Sequence, residues 1–240
     1  MTGDPEFGET WAYESIIGAL PGIDVSTRGA IAIQFVLFEV AALALAAVYG
    51  LWIAVPAATG AILVATVGSV EMLRISTFTR REAVPETYRR LLFGSSIEVV
   101  LSVLAYVALV THLFVYAPQQ GTPLFEGLLG REPPLLVVYF ALLVLWDVCY
   151  RIGTGWWASV VALWRSARYR FDPETARILA RADLETMGFG ALQLVLVPFL
   201  LDFPVLLTAV VGHVCAVTVV TGLSVLLLRR RTENERVTPT

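Results

Sequence analysis

Apolar positions dominate long stretches of this chain, and polar positions collect between them instead of recurring along helical faces. Gly29 to Leu73, Leu91 to Tyr116, Leu135 to Trp164 and Leu184 to Leu228 are almost wholly apolar. A soluble helix would show polar residues every three or four positions, on a solvated face. Runs of this length and character instead predict helices whose outer surface meets lipid.

The first run is too long for one crossing. Its 45 residues would make a helix of roughly 67 Å, about twice the hydrocarbon thickness. Tyr49-Gly50-Leu51-Trp52 is the expected turn, with Gly50 to break the helix and aromatics for the interface. Pro56 then falls in the first turns of the second span, where proline is tolerated. Gly60 and Gly68, with alanines around them, predict a small-residue face that lets a neighbouring helix approach. The run from Leu135 to Trp164 suits one tilted helix that continues past the membrane surface, or one kinked at Gly153 and Gly155. Leu201-Asp202-Phe203-Pro204 divides the last run into two antiparallel spans.

The expected fold is therefore all-α: a polytopic integral membrane protein of six transmembrane helices arranged as three antiparallel hairpins. The spans are about 29–49, 51–73, 91–116, 135–164, 184–201 and 205–228. Residues 1–28 form an acidic segment expected on the cytoplasmic side or at the interface. Trp11, Ile16, Ile17 and Leu20 would be its apolar face; a loose tail is the alternative. Residues 229–240 form a cytoplasmic tail, and Ala117 to Pro134 reads as a loop rich in Pro, Gly and Gln. Asp172-Pro173-Glu174 has the order of a helix start, an acid at the cap and proline at the first helical position. Pro-Glu-Thr occurs both at 85–87 and at 173–175, which reads as reuse of a common helix start more readily than as a duplicated hairpin.

Composition agrees with the pattern. Hydrophobic residues make up 57 %, charged residues 15 %, and mean hydropathy is +0.74, too apolar for a solvated surface. The net charge of −3 hides an asymmetry. There is no lysine, and all 17 basic residues are arginine, which reads as a bias of the whole coding sequence. Under the six-span arrangement fifteen of them fall on one side, Arg131 stands alone on the other and Arg151 lies inside. The positive-inside rule then predicts a multi-pass protein of the cell membrane with both termini cytoplasmic. Met1 to Asp24 lacks a basic leader region, so the first span is expected to act as an uncleaved targeting signal.

Candidate chemistry lies with ionisable groups at depth. Asp147 and Arg151 are one helical turn apart in the fourth span, close enough to pair. Asp147 is roughly 20 Å from the outer surface, Glu39 roughly 16 Å from Arg28, and Glu98 roughly 12 Å from Arg90. Three helices thus carry charge at similar depth in the cytoplasmic half. If they face one another, Glu39, Glu98 and Asp147 surround one arginine, and at least one acid is protonated or open to water. Gln34, Ser95, Ser102, His112, Gln193 and His213 are the secondary polar lining of such an interior. Glu71 and Glu185 read as surface partners of Arg74 and Arg181, and Trp156, Trp157 and Trp164 as anchors at the inner interface. Cys149 and Cys215 read as small buried hydrophobes, with no metal-ligand spacing and no cofactor motif nearby.

Three functions fit these residues. The leading one is a small permease or ion- or proton-conducting protein, with Glu39, Glu98, Asp147 and Arg151 as its pathway. The second is a non-catalytic scaffold or partner subunit whose buried charges only fix helix packing. The third and weakest is a lipid-modifying enzyme using the acids as general acid and base. No Walker loop, dinucleotide fingerprint, His-Glu-x-x-His, serine elbow or potassium-filter sequence occurs. The expected partners are the bilayer itself, anionic headgroups at the arginine-rich connectors and further copies of the chain. Nucleic acid is not expected, because the basic connectors are short and lack interleaved aromatics.

Overall fold

The computed structural model describes Trp11 and residues 26–80, 84–121 and 123–237. Among them every regular element is helical. Helix α1 spans Thr27–Tyr49 and ends at Gly50, whose φ of 72° is the left-handed cap that glycine adopts without strain. A short 3-10 turn, Trp52–Ala54, leads into α2, Val55–Thr79, with Pro56 in its first turn as expected. Helix α3, Glu86–Phe93, is separated from α4, Ile97–Thr111, by a break at 94–96, where Ser96 takes a positive φ of 54°. The predicted third span therefore has a step in it near its inner end. Helix α4 continues through a π-turn, His112–Tyr116, to Gln119.

The stretch expected to be a plain loop contains another helix, α5, Leu124–Leu129. Its apolar residues are too few for periodicity to reveal it. Helix α6, Leu135–Arg168, runs 34 residues without interruption, so Gly153 and Gly155 do not break it. Helix α7, Pro173–Leu192, starts as predicted: Asp172 accepts from the backbone N–H of Glu174 at 2.9 Å and of Thr175 at 3.0 Å. It then tightens into a 3-10 segment, Gln193–Phe199, around Pro198, which has no N–H to continue an α-helix. Helix α8, Pro204–Val237, ends the described chain.

Helix α6 is the axis of the bundle and packs against α2, α3, α4, α7 and α8. Helices α2, α6 and α8 run one way, and α1, α4 and α7 run back. One end carries the arginine-bearing termini of these helices, and Arg231 there donates to the Tyr169 carbonyl at 3.3 Å. Two close approaches fix the packing. A Cβ on Gly68 of α2 would lie 2.7 Å from the Arg151 Cβ, and one on Gly153 of α6 would lie 3.0 Å from the Ser102 backbone nitrogen. Gly68 thus serves the close approach expected of it.

Among the described residues five helical segments are long and apolar enough to cross a membrane: Arg28–Tyr49, Trp52–Thr79, Glu86–Gln119, Leu135–Arg168 and Pro204–Arg231. Their outward faces are apolar. Ile33, Val36, Leu37 and Val40 form an exposed stripe on α1, and Val100, Val103, Leu104 and Val107 form one on α4. Exposed apolar residues at i, i+3, i+4, i+7 invert the pattern of a soluble helix and identify a lipid-facing surface. This is an all-α membrane protein. The expected span 184–201 is not among the five; it overlaps a helix that begins at Pro173 and carries Arg177, Arg181, Asp183 and Glu185.

Two apolar clusters hold the interior. One, towards the arginine-rich end, joins Met72, Ile75, Tyr88, Leu92, Phe93, Tyr150, Val161 and Leu179. Trp11 is buried in it, edge-on to Phe93 at 4.8 Å. Ile16, Ile17 and Leu20 lie outside the described residues. The second cluster, near the middle, joins Ala61, Ile62, Val64, Ala65, Val144, Val148 and Phe189. Trp157 and Trp164 pack against the first cluster, and the Trp157 indole donates to the Leu91 carbonyl at 3.1 Å. Both are half-buried, and the Trp157 bond ties α6 to α3.

Candidate functional site

The Asp147–Arg151 pair forms as the spacing predicts. Arg151 Nε donates to Asp147 Oδ1 at 3.1 Å, and both side chains are buried. Gln34 of α1 donates to the other carboxylate oxygen at 2.8 Å, and Arg151 Nη1 reaches Met72 Sδ of α2 at 2.9 Å. The pair therefore ties α6 to α1 and α2. The cavity beside Asp147 measures about 10 Å³, room for no more than one water.

The two glutamates are held differently. Glu39 accepts from Thr59 Oγ1 at 2.7 Å, linking α1 to α2, and its Oε2 is buried without a partner. Glu98 lies buried in the first turn of α4, again with Oε2 unpartnered. One helical turn on, Ser102 Oγ donates to the Glu98 carbonyl at 2.5 Å and lies 3.3 Å from that of Tyr150 on α6. Ser95 is half-exposed at the α3–α4 break, where its Oγ accepts from the Ile97 N–H at 3.4 Å.

A second buried ionic network was not legible in the sequence. Arg165, placed by its arginine-rich surroundings in a cytoplasmic connector, is completely buried. It donates to Asp183 Oδ2 at 2.7 Å and to the Tyr88 hydroxyl at 3.3 Å, with the Tyr88 ring 5.2 Å from its guanidinium carbon. Ser224 Oγ donates to the same Asp183 oxygen at 2.6 Å, and Ser166 Oγ lies 2.8 Å from Ser224 Oγ. Four helices meet there, and no local spacing links their residues. Glu71 also departs from expectation: it is buried, with Oε1 unpartnered. Glu185 pairs with Arg181 at 3.4 Å, as expected, and takes Arg74 at 2.5 Å in place of Glu71. Asp172, outside the spans, accepts from the Thr175 side chain and from backbone N–H groups, which hold its carboxyl below the usual range.

The largest feature lies at the opposite end from the arginines. A cavity of about 700 Å³ opens between the halves of α1, α2, α4, α6 and α8 distant from the arginines, the 3-10 segment and α5. Its wall is alanine, leucine, valine and phenylalanine, with Ala58, Ala105, Ala141 and Ala209 leaving the space. Phe125 and Leu128 of α5 close over it, while Glu126 of that helix pairs with Arg131 at 2.7 Å. His112, on the π-turn, and Gln193 and His213 are its main polar points. The His112 ring lies 5.3 Å from Tyr116, and that of His213 lies 6.0 Å from Trp156. Among the described residues no Asp, Glu or Arg lines it. Cys149 is part of the wall, whereas Cys215 is exposed on the outer face of α8, so only one of the two thiols is buried.

Secondary polar residues from the sequence thus divide between two places. Gln34 joins the Asp147 network, Ser102 joins the α4–α6 contact, and His112, Gln193 and His213 join the cavity. Among the described residues no cluster of His, Cys, Asp and Glu is suited to a metal ion.

A family model described as a family of unknown function, DUF7530, matches residues 6–224. The chain belongs to that family. Comparison with curated proteins and with solved structures yields no match.

Proposed function

We propose that this chain is a multi-pass membrane protein that binds an apolar ligand drawn from the lipid phase. The observation that carries this reading is the cavity of about 700 Å³. Ligand pockets commonly measure about 300–1,000 Å³ and are mostly apolar with a few placed polar groups. Its position supports entry from lipid. Helix α5 covers its outer end, and its inner end meets the closely packed layer around Asp147 and Phe189. Helices α1 and α4 both contribute to its wall but make no substantial packing contact with each other, so the proposed route for the ligand runs between them.

The topology that goes with this reading has six crossings. Residues 184–201 complete the sixth, both termini are cytoplasmic, and the arginines face anionic headgroups of the cell membrane. The lipid-facing stripes on α1 and α4 also offer surfaces for a homo-oligomer.

The test is photolabelling of the purified protein by an alkyl diazirine of fatty-chain length. Labelled peptides should come from the cavity wall, and Ala105→Trp with Ala141→Trp should lower labelling there at least tenfold. Labelling spread over the outer stripes and unchanged by filling the cavity would remove the reading.

Ion or proton conduction through Glu39, Glu98, Asp147 and Arg151 is the second reading. What favours it is the buried, unpartnered Oε2 of both glutamates. The close packing around Asp147 weighs the other way, because conduction needs a continuous wet path.

A further inference from the structure

Two imidazoles stand in the cavity wall, at opposite ends. Among the described residues His112 and His213 have no hydrogen-bond partner; both are half-buried, and their ring nitrogens keep accessible surface. Tyr106 of α4 meets Trp146 of the antiparallel α6 at 5.4 Å. Six residues on from that contact, His112 is level with Phe140, near the end distant from the arginines. His213 lies against Trp156, sixteen residues further along α6 than Phe140 and roughly 24 Å deeper. From these observations we infer that the ligand is a long-chain carboxylic acid, with its carboxyl group on His112 and its chain running inward along the cavity. This rests on the apolar-ligand reading proposed above.

Three arguments select that end and that chemistry. His112 opens the π-turn, a rare departure from α-geometry that recurs at functional sites. Phe114 of the turn lies 5.2 Å from Phe125, so the turn packs against the helix that covers this end. The wall inward of His112 gives a chain its place. Between Phe140 and Ile152 the α6 wall is mainly alanine, leucine and valine, roughly 18 Å of apolar surface. A lipid acid at the membrane surface distant from the arginines already points its tail towards the midplane, so it enters sideways without turning over. Binding at His213 would need the reverse orientation. Proton balance selects the head. A carboxylic acid arrives neutral, and its O–H donates to the imidazole nitrogen. With the proton on oxygen or on nitrogen, the pair brings no net charge into the apolar wall. A head with a second charge finds no further partner, because among the described residues no Asp, Glu or Arg lines the cavity.

The chain has two histidines, so nitrogen NMR of the imidazoles reports on both ends of the cavity at once. The experiment uses the full-length protein in nanodiscs, without an affinity tag, and His213→Gln assigns the two rings. Dodecanoic acid should move a His112 nitrogen towards the position of a protonated ring and leave His213 in place. Methyl dodecanoate and dodecane, which have no proton to give, should not produce that shift. In competition with the alkyl diazirine probe for the cavity wall, the acid should act at about tenfold lower concentration than its ester, or lower still, as for a charge-assisted hydrogen bond. His112→Leu should erase that advantage and leave the ester's value unchanged. If the probe labels the cavity wall but the acid leaves His112 unmoved, or moves His213 instead, the acid inference fails and the apolar-ligand reading stands. An ester as potent as the acid also overturns it. A probe that does not label the wall of the wild-type protein overturns both.

Discussion

Arg165 and Asp183 meet at 2.7 Å with both side chains shut away from solvent, and Ser224 donates to the same carboxylate oxygen at 2.6 Å. This pair joins α6 to α7, and Ser224 brings in α8. Removing one partner of such a pair leaves an uncompensated charge and costs about 3–5 kcal/mol, whereas replacing both with apolar groups is often neutral. Asp183→Ala should therefore lower the unfolding midpoint in detergent sharply. Asp183→Leu combined with Arg165→Met should recover most of the loss. A double variant no better than the single one would show that the network contributes packing and not charge pairing.

Gly68 is the contact that seats Arg151 against α2. A methyl group there would lie 2.7 Å from the Arg151 Cβ and 2.8 Å from the Phe189 ring. Gly68→Ala should destabilise by about 1–3 kcal/mol, the usual cost of overpacking. Gly127→Ala, with nothing within 4 Å, is the control and should leave the thermal midpoint unchanged.

Asp172 makes the start of α7 sensitive to pH. Its folded-state carboxyl is held below the ordinary range, first by the Thr175 side chain and then by backbone donors. The stability it contributes is therefore present above its unfolded-state pKa and is lost as pH falls through the lower folded-state value. Hydrogen exchange at Thr175 and Ala176 should accelerate on acidification through that window, beyond the intrinsic chemical trend. Asp172→Asn caps without titrating, so it should flatten the response. Persistence of the full response in that variant would assign it to another group.

Glu39 and Glu98 separate the two functional readings. On the apolar-ligand reading, Glu39→Gln with Glu98→Gln should leave proton flux into proteoliposomes at the level of empty vesicles plus wild-type background, and probe binding should be retained. A flux present in the wild-type protein and lost in the double variant would instead support conduction through these acids.

The sequence by itself determined the membrane class, the helical character and several boundaries. Hydropathy is a local sum, so each apolar run declares itself without reference to the others. The Gly50 turn and the Asp172-Pro173 start were legible for the same reason, since cap chemistry acts within a few residues. The Asp147–Arg151 pair was legible because helix geometry alone brings i and i+4 together. Tertiary structure decided the rest. Gln34 reaches Asp147 across 113 positions, and Ser224 reaches Asp183 across 41. The arginine-rich surroundings of Arg165 place it at a surface until α3, α7 and α8 close over it. The cavity has no sequence signature either, because it is a space left by alanines on several helices. Only the packing of those helices brings the alanines together around that space.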